Sequence, residues 1–243
     1  MAQNYKITVC YDGTDYHGWQ KQLRHRTIQG ELEKALMKIL SKETSVIGSG
    51  RTDAGVHALG QVAHFKATTR LVEEEFMKAL NGTLPNDIRV VSLQKASTDF
   101  HARKSAKSKI YRYRILNSPR INPFILRYVL HWPSALDIRA MSNAATLFIR
   151  ESDFTAFSSN RERHPVRHVM RSEITQQGRE IIYTAEANGF LRYMVRSIVG
   201  TLLQVGCGKI LPEDIEDLFK TKKRSPKSPT AAAKGLCLIK VKY

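Results

Sequence analysis

The sequence predicts an α+β fold built from two tandem β-α-β-β-α-β units, whose antiparallel sheets join across a central basic cleft. Three observations predict it. The same order of strand-like and helix-like patterns occurs in both halves of the 243-residue chain. The pattern lapses between the halves, in residues 100–109, where positive charge is dense. A chain of this length can also form two domains, each with its own core. We therefore expect an N-terminal unit over residues 1–104 and a C-terminal unit over residues 105–243.

The N-terminal unit begins with residues 5–11, which alternate as a half-buried strand does. Residues 27–42 place apolar side chains at helical spacing, and these are Ile28, Leu32, Ala35, Leu36, Ile39 and Leu40. Further strands are predicted over residues 46–48, 61–66 and 88–96. A second helix is predicted over residues 71–80, ended by Asn81-Gly82.

The C-terminal unit repeats this order. Strands are predicted over residues 110–116, 166–175, 180–187 and 236–241, because these segments are apolar or alternate with period two. Helices are predicted over residues 137–149 and 190–205, where apolar residues recur at helical spacing.

The chain is strongly basic, with 39 Lys and Arg against 22 Asp and Glu and a formal net charge of +17. Such a charge favours a polyanionic partner, and nucleic acid is the usual one. No apolar stretch is long enough to span a bilayer, so we expect a soluble, cytoplasmic protein that binds no membrane. Residues 221–230, TKKRSPKSPT, predict a loop without packing, which is either an RNA-contacting arm or a solvated connection.

The three cysteines, Cys10, Cys207 and Cys237, are far apart and form no C-x-x-C pair. We expect them to be small buried hydrophobic residues and not metal ligands.

A glycine-rich segment over residues 48–60, GSGRTDAGVHALG, is the most unusual local sequence. It predicts a tight loop that presents one carboxylate, Asp53, between two strands. Neither G-K-[ST] nor G-x-G-x-x-G is present, so a phosphate-binding loop is not indicated. On composition alone, Asp53 is better explained as a turn residue that hydrogen-bonds its own backbone.

Motifs spread along the chain closely resemble those of the tRNA pseudouridine synthase A family. They occur in the family's order and are YDGT (11–14), HGWQ (17–20), GRTDAGVHA (50–58), NGTLP (81–85), FHAR (100–103), YRY (111–113), DFTAF (153–157) and FLRYMVRSIVG (190–200). The resemblance implies the pseudouridine synthase fold and the isomerisation of uridine to pseudouridine, which needs no cofactor and no metal. It also implies action at positions 38, 39 and 40 of the tRNA anticodon stem-loop.

The resemblance assigns roles to three residues. Asp53 would be the catalytic nucleophile. Arg196 would pair with Asp53 and keep the carboxylate ionised in a partly dehydrated pocket. Tyr111 would stack on the target base and help remove the proton from carbon 5, although its alternation with Tyr113 and Ile115 is also typical of core packing. Tyr113 is expected to be structural.

Other residues are expected to bind the substrate. Arg51 would contact RNA phosphate or help flip the base, or else brace its own loop. His101 and Arg103 would line the RNA cleft, or form an ordinary surface strand. His57 is expected to be structural, because nothing supplies it with a nucleophile to activate.

A basic loop precedes the first helix and contains Lys21, Arg24, His25 and Arg26. By resemblance it guides the tRNA elbow or stem, although a solvated loop would have the same sequence. Members of the family are homodimers, so we expect a homodimer here.

Two departures from the family pattern bear on substrate range: Lys104 and the segment 158–165. Two other classes of protein stay open on the residues. A catalytically silent RNA-binding module explains the charge, and a carboxylate-dependent hydrolase or metal nuclease would use an acid, although either normally needs a second one.

Overall fold

The computed structural model describes residues 2–160 and 163–243, and the chain divides into two compact units. The first comprises Met1–Lys107 together with Cys237–Tyr243, and the second comprises Ser108–Leu236. Both are mixed α and β, which confirms the predicted fold class.

The first unit, from residue 2 onward, has five strands and two α-helices. They are β1 (Gln3–Tyr11), α1 (Ile28–Leu40), β2 (Ile47–Gly48), β3 (His57–Ala67), α2 (Glu73–Thr83), β4 (Ile88–Lys95) and, from the end of the chain, β10 (Leu236–Lys242). The sheet order is β4-β1-β3-β10, and β2 pairs with β3. Strand β1 pairs antiparallel with both β3 and β4. On one face of this sheet, Tyr5 of β1 and Phe65 of β3 pack ring against ring with Phe76 of α2.

The helix α2 does not end at Asn81-Gly82, as the sequence suggested, but continues through both residues to Thr83. The Asn81 side chain has another role: its Nδ2 donates to the Val90 carbonyl and its Oδ1 accepts from the Val90 N–H, at 2.9 and 2.8 Å. Asn81 therefore ties the helix to β4, and the chain leaves the helix at Leu84, just before Pro85, where a proline disfavours helical backbone.

The described residues of the second unit form five strands and three α-helices. They are β5 (Ser108–Asn117), β6 (Leu130–Trp132), α3 (Ile138–Thr146), β7 (Glu151–Asp153), β8 (Val166–Gln177), β9 (Glu180–Ala187), α4 (Met194–Gly206) and α5 (Pro212–Thr221). The order of its sheet is β5-β9-β8-β7, with β6 beside β5. Helix α3 packs against β8 and against α4, and Phe148, Phe154, Phe157 and Phe219 pack together in the core.

Three details of the second unit differ from the sequence prediction. The helix α4 begins at Met194 and not at residue 190, because Tyr193 has a left-handed backbone with φ of 64° and caps the helix there. The strands β6 and β7 were missed, since three residues are too few for a periodic pattern. The helix α5 was also missed, although Pro212 in its first turn and the acids Glu213 and Asp214 are typical of a helix start.

The division into units differs from the predicted ranges 1–104 and 105–243. The change between units lies at residues 107 and 108, within the basic segment 100–109. Strand β10, however, belongs to the first unit, because Cys237 and Leu238 pair in parallel with His57 and Ala58 of β3. A strand's partner across the chain cannot be read from its own residues.

Candidate active site

Asp53 lies in the loop between β2 and β3 and is partly exposed. Its neighbour Thr52 is buried, whereas Arg51 is exposed. Thr52 therefore lies in the interior, whereas the side chains on either side of it, Arg51 and Asp53, are accessible to solvent. Asp53 thus lies on a loop between two strands, where the glycine-rich sequence placed it.

The loop packs tightly on the segment that follows β1. A Cβ at Gly13 would lie 2.0 Å from the Val56 carbonyl oxygen, so no side chain fits there. Gly18 has φ of 85°, a conformation that favours glycine, and a Cβ on it would lie 2.5 Å from the Thr52 carbonyl oxygen. The two motifs around Tyr11–Thr14 and His17–Gln20 therefore pack directly against the Asp53 loop.

Main-chain hydrogen bonds join the same two segments. The Trp19 N–H donates to the Thr52 carbonyl at 3.0 Å, and the Gly55 N–H donates to the Tyr16 carbonyl at 3.2 Å. Within the loop, the Val56 N–H donates to the Asp53 carbonyl at 3.2 Å. The backbone on both sides of Asp53 is therefore fixed by contacts far away in sequence.

His57 follows the loop and is buried. Its Nδ1 accepts from the Gly13 N–H at 3.1 Å and lies 3.1 Å from Oδ1 of Asp12. The same Asp12 oxygen accepts from the Thr14 N–H at 2.9 Å, which closes a turn. In this position His57 joins the end of β1 to the beginning of β3, as expected of a structural histidine.

In the second unit, Tyr111 and Tyr113 lie on β5 and point to the buried face of its sheet. Tyr111 packs edge-on against Phe190, with ring centroids 5.1 Å apart. Tyr113 is fully buried and donates to the Ala232 carbonyl at 2.7 Å. Burial raises the pKa of the Tyr113 hydroxyl, an effect that the Arg196 charge opposes. Tyr113 is therefore a protonated hydrogen-bond donor in the core.

Arg196 lies in the first turn of α4, and its guanidinium has a defined orientation. Its Nε donates to the Ala231 carbonyl at 2.8 Å, and its plane lies over the Tyr193 ring at 4.7 Å. The Arg196 carbonyl in turn accepts from the Ala231 N–H at 3.0 Å. These contacts with Ala231 and Tyr193 fix the position of the Arg196 guanidinium, a group that pairs well with carboxylates.

The basic loop after Gln20 is partly neutralised by ion pairs. Lys21 Nζ lies 2.9 Å from Glu33, which raises the pKa of the lysine. Arg26 lies 3.4 Å from Asp87 and stacks on the Tyr16 ring at 4.3 Å. Arg24 is exposed, with φ of 67°. No pattern in the basic loop itself indicated these acidic partners, because Glu33 lies in α1 and Asp87 just ahead of β4.

His101 and Arg103 lie in a turn between β4 and β5. The His101 Nδ1 accepts from the N–H groups of Arg103 and Lys104 at 3.2 and 3.3 Å, so the ring closes its own turn. Arg103 and Lys104 are exposed. Ala102 lies between His101 and Arg103, and both of its backbone polar groups are hydrogen-bonded. Its N–H donates to Nδ1 of His64 at 3.2 Å, and its carbonyl accepts from the Tyr243 hydroxyl at 2.8 Å.

Part of the segment 221–230 packs, contrary to expectation. Ser228 is fully buried, and a Cβ at Gly200 would lie 1.8 Å from the Pro229 carbonyl oxygen. Lys227 pairs with Asp214. The absence of a side chain at Gly200 lets this segment approach α4, a contact that composition does not indicate. In the segment 158–165, residues 161 and 162 lie outside the described part of the chain.

All three cysteines are free thiols of intermediate burial, so they are less buried than expected. Burial raises the pKa of the Cys10 thiol. Over residues 2–160 and 163–243, no three His, Cys, Asp or Glu side chains are grouped as metal ligands would be.

Within the described residues, no helix combines the length and apolarity that crossing a membrane requires.

Comparison with known proteins gives one consistent result. The family model described as tRNA pseudouridine synthase matches residues 7–103 and 144–243. A protein of Thermodesulfovibrio yellowstonii named tRNA pseudouridine synthase A is 42% identical over 99% of both chains. Proteins of that name from Caldicellulosiruptor saccharolyticus and from Thermoanaerobacter sp. strain X514 are 43% and 44% identical, over 99% of this chain and 100% of theirs.

Proposed function

We propose that this chain, which belongs to the tRNA pseudouridine synthase family and isomerises uridine to pseudouridine in tRNA, uses Asp53 as its nucleophile at positions 38, 39 and 40. The observation that carries the proposal is the setting of Asp53: a partly exposed carboxylate on a loop whose neighbours are fixed by backbone contacts to Tyr16 and Trp19. A nucleophile needs this combination of access and fixed position.

The reaction moves the uracil ring without changing its composition. The bond from N1 to the ribose C1′ breaks, a bond from C5 to C1′ forms, and the proton on C5 leaves while N1 gains one. Asp53 would supply the electron pair, by attack on the sugar or on the base. The ring must turn before it is rejoined, so the pocket must retain it.

Arg196 is proposed as the cation that keeps Asp53 ionised, since burial of a carboxylate without a cation would neutralise it. Its anchoring to Ala231 and Tyr193 supports this role, because it leaves the guanidinium little freedom to rotate away. Tyr111 is proposed to stack on the base and assist the loss of the C5 proton. Its burial beside Phe190 supports a role as one wall of an apolar base pocket.

Arg51, Arg103, Lys21, Arg24, Arg26 and His101 are proposed to contact the tRNA anticodon stem-loop and elbow. Exposure of Arg51, Arg103 and Arg24 supports direct phosphate contact for these three. His101 supports Arg103 indirectly, because its ring accepts from the Arg103 N–H. We further propose that the protein is a cytoplasmic homodimer that needs neither metal nor cofactor.

The test is tritium release from tRNA labelled at C5 of uridine, in excess chelator, for the native protein, Asp53→Asn and Asp99→Asn. Asp99 is an exposed acid of the same unit and controls for the loss of one negative charge. We expect Asp53→Asn to lower kcat by about 1,000-fold or more while binding of the tRNA is kept. Asp99→Asn should keep native turnover.

Transcripts with uridine at only one of positions 38, 39 and 40 test the site of modification. Release from each is the expected result. Turnover by Asp53→Asn at the native rate would reject Asp53 as the nucleophile. Binding without release by the native protein would favour the silent RNA-binding module.

A further inference from the structure

Beneath the Asp53 loop lies a buried network of polar side chains. The Tyr11 hydroxyl, at the end of β1, is 2.8 Å from Oγ1 of Thr52 and also hydrogen-bonds the Gln61 side chain. All three residues are buried, and Gln61 has no exposed surface. Polar groups are costly to bury and need partners, so their placement here indicates that these contacts matter to the loop.

Gln61 extends the network to the other end of the loop. Its Nε2 donates to the Gly50 carbonyl at 3.0 Å, and its Oε1 accepts from the Ser49 hydroxyl at 2.9 Å. Ser49 is itself fully buried. One carboxamide on β3 therefore fixes two successive residues of the loop, through one donor and one acceptor.

Thr52 is the point at which these contacts reach Asp53. Its side chain is held by Tyr11 and its carbonyl by the Trp19 N–H, so both ends of the residue are fixed. Asp53 is the next residue, joined to Thr52 by one planar peptide. The carbonyl of that peptide accepts from Trp19 and the carbonyl of Asp53 accepts from Val56, so the peptides on both sides of Asp53 are held and its side chain is left mainly with a choice of rotamers.

We propose that Tyr11, Thr52 and Gln61 are positioning residues for Asp53, which hold its carboxylate in the geometry of attack. The proposal rests on the proposed function, in which Asp53 is the nucleophile. A displacement of about 1 Å at a reacting group can cost about 100-fold in rate. Loss of one contact in the network is therefore expected to lower kcat and to leave KM nearly unchanged, since none of the three residues is exposed to substrate.

Tyr11→Phe is the first variant, and Tyr183→Phe is its matched control. Tyr183 is also fully buried and its hydroxyl lies 2.9 Å from the Ser172 hydroxyl, in the second unit. Both substitutions remove one buried hydroxyl from a hydroxyl–hydroxyl contact, and each should lower the free energy of unfolding by about 1–2 kcal/mol. Only Tyr11→Phe should lower kcat, by about 10- to 100-fold, with KM within about twofold of native.

Substitutions at Thr52 give a second, independent readout. Thr52→Ser keeps the hydroxyl and should keep most of the turnover, whereas Thr52→Val keeps the shape and should lose turnover, although no more than Tyr11→Phe, which also removes the contact with Gln61. The double variant should lose little more than Tyr11→Phe alone, because Tyr11→Phe already removes the contact between Tyr11 and Thr52.

The possible results distinguish a failure of the positioning role from a failure of the proposed role of Asp53 as nucleophile. Native kcat in Tyr11→Phe and Thr52→Val, with Asp53→Asn inactive, would overturn the positioning role and keep Asp53 as the nucleophile. Equal kcat losses in Tyr11→Phe and Tyr183→Phe would also overturn it, since general destabilisation would then explain both. An active Asp53→Asn would instead reject the proposed function.

Discussion

Gly200 in helix α4 offers a test of how closely the segment 228–231 approaches that helix. In the interior of a helix, alanine is favoured over glycine by about 1 kcal/mol. At Gly200 the new Cβ would lie 1.8 Å from the Pro229 carbonyl oxygen, where real Cβ contacts essentially never fall below 3.0 Å. The segment must therefore move away by roughly 1 Å or more, and overpacking of this kind costs about 1–3 kcal/mol or more.

Gly82 in α2 is the matched control, because a Cβ there meets nothing within 4 Å. We expect Gly82→Ala to raise the free energy of unfolding by up to about 1 kcal/mol, and Gly200→Ala to lower it by about 2 kcal/mol. For a chain of this size, these changes correspond to a melting temperature about 2–4 °C higher and about 4–8 °C lower, respectively. Differential scanning calorimetry measures both.

Turnover should follow the same contrast. The segment displaced by Gly200→Ala includes Ala231, whose carbonyl orients Arg196, so kcat should fall as well. Gly82→Ala should leave kcat unchanged. If the two variants shifted the melting temperature in the same direction, the close approach of Pro229 to α4 would be refuted.

Three further predictions concern the first unit. Burial lowers the pKa of His64, and the nearby charge of His101 lowers it further. The unfolded state therefore takes up a proton at a higher pH than the folded state does, so the free energy of unfolding should fall as the pH drops below about 6.5. In urea unfolding at several pH values, His64→Asn should weaken that fall, and an unchanged pH slope would contradict the assignment. Tyr243→Phe removes the donor to the Ala102 carbonyl, so it should cost about 1 kcal/mol of stability and weaken tRNA binding in a filter assay with kcat unchanged. His57→Asn places an amide atom near the position of Nδ1, whereas His57→Gln does not, so His57→Asn should retain more turnover than His57→Gln. Equal turnover in the two variants would count against the contact between His57 and Gly13 at the end of β1.

The sequence predicted the fold well where a pattern is local. Strand β9 was predicted over residues 180–187 and has those bounds, because six of its eight residues are buried in a nearly continuous run. Helix α1 begins where Thr27 caps it, as its side chain accepts from the Gly30 N–H. These features depend on residues within one turn or one strand of each other.

The errors arose where a distant partner overrides the local preference. Asn81-Gly82 is a typical helix end, yet the pairing of Asn81 with Val90 keeps the helix going. Strand β10 was placed with its neighbours in sequence, whereas its pairing with β3 joins it to the first unit. In neither segment does the local sequence indicate which distant residues it will pair with.

The same distinction applies to the candidate site. The glycines and Asp53 are adjacent in sequence, so the loop could be recognised from one segment and its resemblance to a family. Tyr11 is 41 residues from Thr52, and it was read only as part of a strand and a motif. A partial signal was present in β3, where Gln61 interrupts an otherwise largely apolar run at a buried position. Buried polar residues inside strands therefore deserve a search for their partners before a site is considered complete.

The two groups proposed to meet in catalysis are each fixed within their own unit. Asp53 is held through Thr52 by Tyr11 and Trp19, and Arg196 is held by Ala231 and Tyr193. The ordering of these side chains is therefore achieved largely when each unit folds, and the substrate does not have to supply it on binding. The residues proposed to contact tRNA phosphates and the residues proposed to react are separate sets. The free energy of phosphate binding can therefore be used to attract the tRNA and to move the target base out of its stack. Substitutions among the buried anchors should for this reason act on kcat, and substitutions among exposed arginines such as Arg51 and Arg103 on KM.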